Sequence, residues 1–156
     1  MILLLTNLYG FYLAANLSWA QKYAAGFEDA RIIEFHFKPI DILKGSSNYR
    51  FFEALDKEFA EFVFSNRMYY LESEDNCYHK YDLVAGVMSD GTQATDFEEY
   101  RDGDITKEEL FRRLLLPRED WQIAIHSQAL CNCLAPSRAF DLKGGEYDVS
   151  EYHKTI

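Results

Sequence analysis

The chain has 156 residues, of which 48% are hydrophobic and 16% aromatic, and its formal net charge is −10. This length is enough for one domain, residues 1–156, whose core needs no metal or disulfide to hold it together. The negative charge repels phosphate backbones and anionic lipid at long range, so nucleic acid would have to be gripped locally. Composition therefore predicts a single, aromatic-rich globular domain.

Cysteine usage and the opening residues predict a cytoplasmic protein. The three cysteines, Cys77, Cys131 and Cys133, are odd in number, and the last two are too close in sequence for an ordinary disulfide. Residues 1–5 are apolar but follow no basic residue, so we interpret them as a buried strand rather than an export signal. No apolar run approaches the ~20 residues of a membrane helix, so we expect no membrane partner.

The first half of the chain alternates strand and helix patterns. We predict a strand over residues 10–14, then a helix capped by Asn16 that places five residues on one face: Leu17, Ala20, Tyr23, Ala24 and Phe27. Alternation predicts a strand over 31–37. Apolar residues from 51 to 63 recur at helical spacing and predict an amphipathic helix that ends near 66–67, where Asn66 and Arg67 would cap it.

The second half continues in the same irregular order. We predict a buried strand over 82–88, a solvated acidic loop over 96–104, and a helix that begins at the capping box Thr106–Glu109 and is stopped by Pro117. A strand over 121–126, a helix over 127–134, and weaker strands at 139–142 and 147–149 complete the pattern. Strands and helices mixed in this way predict an α+β fold.

Two tyrosines, Tyr12 and Tyr23, stand eleven residues apart on a predicted strand and the helix after it. Their rings could face one slot suited to a flat heteroaromatic cation, because each stacked ring contributes about 0.5–2 kcal/mol. From spacing alone, core packing explains both tyrosines more simply. Established motifs for phosphate loops, nucleophile elbows and zinc proteases are absent, and cysteine and histidine spacing matches no finger, so we predict no metal.

A resemblance gives this segment more weight. Residues 10–13 (Gly-Phe-Tyr-Leu) resemble the second motif of His-Tyr-Glu ADP-ribosyltransferases, including poly(ADP-ribose) polymerases. The order of residues 10–13, 62–67, 81–86 and 121–127 is similar to a bacterial family of unknown function in that clan. The resemblance implies a split sheet with flanking helices that lacks the family's N-terminal strand. It also implies that NAD is bound by Gly10, Phe11, Tyr12 and Tyr23, with the two tyrosines around nicotinamide.

The same resemblance assigns the remaining catalytic position to Gln122, at the start of a strand. A Glu there would contact the nicotinamide ribose and stabilise the oxocarbenium-like transition state, whereas Gln keeps the hydrogen bond without the charge. The family's first motif, a His or Arg on an early strand, has no counterpart before Arg31. We expect the strands of Tyr12 and Gln122 to line one cleft, with those residues within about 15 Å of each other.

The sequence thus predicts an NAD-dependent mono-ADP-ribosyltransferase-like protein with weak NAD binding and little or no turnover. The resemblance further implies a bacterial toxin or conflict effector, with an unidentified acceptor and an antitoxin protein as partners. The alternative is a non-catalytic interaction module that retains the fold. Among the lesser candidates, His126 is interpreted as a hydrogen-bonded core residue, and Arg67 as a partner for a carboxylate such as Asp82.

Overall fold

A computed structural model of the protein describes residues 2–4, 11–36, 48–73, 79–87, 92–118 and 120–152. The architecture is mixed α+β, as predicted. The strands are β1 (Ile2–Leu4), β2 (Phe11–Ala14), β3 (Arg31–His36), β4 (Tyr49–Phe51), β5 (Leu83–Val87), β6 (Trp121–Ile125), β7 (Ala135–Asp141) and β8 (Glu146–Tyr147). The helices are α1 (Leu17–Ala24), α2 (Lys57–Ser73), α3 (Thr92–Asp102), α4 (Lys107–Leu114) and α5 (Gln128–Cys131), and a 3₁₀ turn covers Val149–Tyr152.

The strands form a sheet with the order β4-β5-β6-β2-β1-β3-β7-β8. Neighbouring strands are antiparallel, apart from the parallel pair of β4 and β5. β1 pairs with β2 on one side and with β3 on the other, where Ile2 lies opposite Glu34. The strand predicted within residues 1–5 is therefore present as β1.

One face of this sheet carries the largest core. Leu13 of β2 is fully buried, and Ile125 of β6 is almost so. They pack with side chains from β3, β5, β7 and the segment of α5: Ile33, Phe35, Leu83, Ala85, Leu130, Cys131, Leu134 and Ala139. Because side chains alternate along a strand, Tyr12 and Gln122 belong to the opposite face.

That opposite face is covered by helices at two places. α1 packs the small residues Ala20 and Ala24 against Ala14 and Ile32. On the far side of β6, the α2 residues Phe59, Ala60 and Val63 pack with Phe52, and Val84 of β5 joins their cluster. The strands β2 and β6 lie between these two packed regions.

The acidic run at 96–104 is not a loop, because α3 extends through Asp102. Arg113 of α4 fixes this helix by donating to Asp96 Oδ1 at 2.7 Å and to Glu99 Oε2 at 2.8 Å. Phe97 is buried on its inner side. Our loop prediction was wrong because the run's stabilising partner lies in another helix, beyond the reach of local pattern.

Other boundaries also differ from expectation. Phe51 belongs to the edge strand β4, which we did not predict, and α2 begins only after Asp56, whose carboxylate accepts the Phe59 N–H at 3.0 Å. α2 then continues to Ser73, so Asn66 and Arg67 do not end it. On α1 only the two alanines of the predicted five-residue face are buried; Leu17, Tyr23 and Phe27 are 44%, 38% and 58% exposed.

The start of α4 follows the predicted capping box in part. Thr106 Oγ accepts the backbone N–H of Glu109 at 3.2 Å. The Glu109 carboxylate does not reach back to the cap; it accepts hydrogen bonds from Arg112 and Arg113 instead. Charged guanidinium groups bind a carboxylate more strongly than a neutral N–H, which accounts for the exchange of partners.

Candidate functional site

Tyr12 and Gln122 lie on one face of two adjacent strands. In the antiparallel register of β2 and β6, Tyr12 is opposite Ala124 and Ala14 is opposite Gln122. Two residues along one strand and one step across put the Cα atoms of Tyr12 and Gln122 roughly 8 Å apart. Both side chains are half-buried. The proximity expected from the sequence is therefore present.

Small residues flank Gln122 on both neighbouring strands. Its partners in register are Ala14 on β2 and Gly86 on β5. A Cβ at Gly86 would stand 3.1 Å from the Cβ of Phe52, so Phe52 lies directly over this glycine. The two residues directly opposite Gln122 are thus small, and Phe52 forms a wall over the glycine. Its amide can donate and accept hydrogen bonds but carries no charge.

A series of rings connects Tyr12 to that wall. The Tyr12 ring contacts His126 edge-on at a centroid distance of 6.3 Å, and His126 contacts His79 at 4.7 Å. His79 lies 5.3 Å from Phe62 of α2, and Phe62 lies 4.7 Å from Phe52. We call these five rings the ring arc. It runs from one side of the Tyr12–Gln122 face to the other.

The histidine at the centre of the ring arc is held in its neutral form. The Nδ1 of His79 accepts the backbone N–H of Tyr81 at 3.1 Å, which places its ring proton on Nε2. Burial, and secondarily the neighbouring His126, lowers the pKa of His79 from 6.5 to about 4. At neutral pH this part of the ring arc is consequently aromatic and uncharged.

His126 follows β6 on the same face as Gln122. Its backbone N–H donates to the carbonyl of Asp82 at 2.8 Å, which extends the β5–β6 ladder by one step. The side chain is half-buried and contacts both Tyr12 and His79. We interpreted His126 from sequence as a core histidine; the structure places it beside the candidate site instead of in the main core.

The other predicted cofactor-binding residues lie at different positions. Tyr23 is 38% exposed on α1, where its ring packs on Phe27 at 5.2 Å, and a sandwich between Tyr23 and Tyr12 stays a prediction. Phe11 packs edge-on against Phe35 on the main-core face, so only its backbone could contact a ligand over Tyr12. Gly10 lies outside the described residues.

Two further sequence candidates have structural explanations. Asn66 Nδ2 donates to the carbonyl of Phe62 one turn earlier, at 2.9 Å, while its buried Oδ1 has no partner within the described ranges. Across those same ranges, no three His, Cys, Asp or Glu side chains converge as a metal site would. Cys77 falls outside them, so the prediction of no metal remains a prediction.

Sequence reasoning missed most of the ring arc. Phe52 and Phe62 were assigned to the amphipathic helix predicted from residues 51 to 63, and His79 was considered only as a metal ligand. Their distance from Tyr12 in the sequence gave no sign that the rings form a connected series with Tyr12. The antiparallel pairing of β5 with β6, with Leu83 opposite Ile125, is what brings the segment before β5 to the end of β6. Aromatic density around residues 51–81 was the available signal, and it did not distinguish core from site.

The fold and the site define a class of protein: a mixed α+β domain whose ring-rich, half-buried strand face lies between two helix-covered regions. The chain belongs to the family described as "Protein of unknown function (DUF3990)", whose model matches residues 9–135. No curated protein and no solved structure matches it. None of the helices in the described ranges is both long and apolar enough to cross a membrane.

Proposed function

We propose that this protein is an ADP-ribosyltransferase-like NAD-binding protein that holds the nicotinamide ring against Tyr12 and the adjoining ribose near Gln122. The observation that supports this most directly is the β2–β6 register, which puts both residues on one face about 8 Å apart. Nicotinamide and ribose are joined by one glycosidic bond, so side chains from two such neighbouring positions can contact both. The Gly-Phe-Tyr-Leu resemblance supplies the identity of the ligand.

The chemistry of the Tyr12 face suits a cationic ring. Aromatic faces attract cations through their quadrupole, with about 0.5–2 kcal/mol per contact depending on desolvation. His79 is neutral and adds no repulsion at pH 7. The chain's net charge of −10 favours the approach of a cation, although it opposes the phosphates of the same ligand. We therefore expect weak binding, near the millimolar range.

The proposed reaction would break the bond between the anomeric carbon and nicotinamide, and an acceptor would attack that carbon. The developing positive charge on the ribose calls for a negative group, and Gln122 offers only a dipole. The early strand β1 places Leu4 level with Tyr12 and contains only Ile and Leu. Two groups of the resembled family are therefore missing: the His or Arg of the first motif and a Glu at position 122. At other preorganised sites each such group lowers the barrier by about 2–4 kcal/mol, so we expect binding without efficient turnover.

Two further features accompany this proposal. The mixed α+β architecture with helices packed on the sheet is compatible with the split sheet and flanking helices that the resemblance implies. We also propose a cytoplasmic protein of toxin or conflict-effector type, with an antitoxin partner and an acceptor whose class is open; the free thiols of Cys131 and Cys133 are compatible with a reducing compartment. The second candidate, a non-catalytic interaction module, is favoured by the uncharged Gln122.

Calorimetric titration of NAD into the purified chain, together with transfer assays using radiolabelled NAD, tests the proposal. Tyr12→Ala should weaken NAD binding about 2- to 10-fold, which corresponds to one aromatic stacking contact. Tyr49→Ala is the matched control, because that tyrosine is 47% exposed on the edge strand β4, which β5 and β6 separate from β2.

Three outcomes separate the candidates. Binding that depends on Tyr12 but not on Tyr49, with little transfer, supports the proposal. Absence of NAD binding favours the interaction module. Robust transfer that survives both Tyr12→Ala and Gln122→Ala would show that the site has been placed on the wrong face.

A further inference from the structure

We propose that His79 and His126 are positioning residues of the Tyr12 site, which hold the Tyr12 ring in place and admit a cationic ring onto it only while the pair is uncharged. This inference rests on the proposed function for the identity of the ligand. Its structural basis is the ring contact between the two imidazoles at 4.7 Å and between His126 and Tyr12 at 6.3 Å.

The pair is fixed from both sides. The Tyr81 N–H holds the His79 ring through Nδ1, and Phe62 packs on that ring at 5.3 Å. His126 stands on the end of β6, where its backbone N–H is bound by the Asp82 carbonyl. The orientation of His126, and through it that of Tyr12, therefore depends on contacts made by a segment that binds no ligand in the proposed function.

Proton uptake by the pair changes the charge beside Tyr12. Two imidazoles in contact titrate as a unit, and the second proton is costly because the first repels it. Titratable residues that contact the pair include Tyr12 from β2 and Tyr81 from the segment before β5, and the Asp82 carbonyl binds the His126 N–H. Lys80 follows His79 in the chain, and from α2 the apolar ring of Phe62 contacts His79.

The sign of the effect follows from linkage. A proton on the pair opposes a second positive charge stacked on Tyr12, so cation affinity must fall as pH falls and recover as pH rises. A cation stacked on Tyr12 would lie about 7 Å from a proton on His126, whose ring centroid is 6.3 Å from that of Tyr12. At that distance the affinity for the cation is weakened about 3-fold under water-like screening and about 50-fold under the screening near a protein surface. An uncharged ring of the same shape should show no such dependence.

Nuclear magnetic resonance titrations of the full chain test this with 1-methylnicotinamide, a cation, and nicotinamide, which is uncharged. Between pH 8 and 4, where His79 reaches its pKa, the affinity for the cation should start to fall toward the stated factor while that for nicotinamide stays constant. His126→Phe keeps a ring beside Tyr12 and should abolish the pH dependence; His126→Ala should lose affinity at every pH. His36→Ala removes a 74% exposed histidine on β3 and should change nothing.

A ligand-free measurement keeps this inference separable from NAD binding. The ring resonances of Tyr12 should follow the titration of the imidazole pair in the unmodified chain and in His36→Ala, but not in His126→Phe. The inference would be overturned if the Tyr12 resonances did not shift as the histidine pair titrates, or if both compounds showed the same pH dependence. If Tyr12 responds but neither compound binds at any pH, the positioning role is supported and the NAD proposal is overturned.

Discussion

Replacement of Gly86 by alanine tests the close packing beside Gln122. The new Cβ would stand 3.1 Å from the Cβ of Phe52, and 3.6 Å from that residue's Cδ2 and carbonyl oxygen. Phe52 is 5% exposed and contacts the rings of Phe59 and Phe62, so it has little room to retreat. Overpacking of this kind costs about 1–3 kcal/mol.

An opposing effect acts through the unfolded chain, because alanine restricts it more than glycine and thereby stabilises the fold by about 0.4–1 kcal/mol. The net expectation for Gly86→Ala is a destabilisation of about 1 kcal/mol. Urea denaturation should show it as a midpoint lowered by roughly 0.3–1 M at an m-value of about 1–3 kcal/mol per molar.

Gly26→Ala provides the matched control. Its Cβ would make an ordinary contact, 3.4 Å from the carbonyl oxygen of Tyr23, so only the unfolded-state effect should remain and stability should stay level or rise. Equal stabilisation by Gly86→Ala and Gly26→Ala would refute the argument that Phe52 seals the sheet at Gly86.

Three further predictions concern charge and the early strand. Arg113→Met should lower the urea midpoint more than Arg112→Met, because Arg113 binds three carboxylates across α3 and α4 whereas the Arg112 guanidinium binds one; equal effects would contradict this. Hydrogen bonds from Arg112 and, to a smaller extent, Arg113 lower the pKa of Glu109 from 4.5 to about 2. The contribution of Glu109 to stability is therefore present above pH 4.5 and should be lost as pH falls toward 2. Acid titration followed by circular dichroism measures this loss. Leu4→His, at the position that pairs with Tyr12, should raise NAD hydrolysis at least tenfold in a radiolabel assay, whereas Leu3→His, at the position that pairs with Leu13, should not.

The parts of the fold that the sequence predicted are those whose cause is local. The strand at Phe11–Ala14 and the strand at Trp121–Ile125 show continuous apolar character, and the Thr106 cap is a short-range hydrogen bond. α3 was mispredicted because Arg113, which neutralises its acidic run, lies in the next helix. β4 was missed because three residues are too few for a legible alternation.

The candidate site divides in the same way. The proximity of Tyr12 and Gln122 was predictable, since motif order assigned both to strands of one cleft. The contact of His126 with His79 was not, because it joins residues 47 positions apart and depends on how β5 and β6 pair. Side-chain exposure also needed the structure: Tyr23 and Phe27 fit a helical face by spacing yet remain exposed, since Ala20 and Ala24 make the contact with the sheet.

Binding and chemistry place different demands on this face. Strand pairing fixes where the Cβ atoms of residues 12 and 122 stand, whatever the side chains are, so a slot for a ring can persist when a charged residue is exchanged for an uncharged one. Barrier lowering depends on charge at a defined position, and it is lost with that single exchange. Because Tyr12 is aromatic, Gln122 is uncharged and β1 is aliphatic, the proposed function predicts measurable affinity for a flat cation together with little or no turnover.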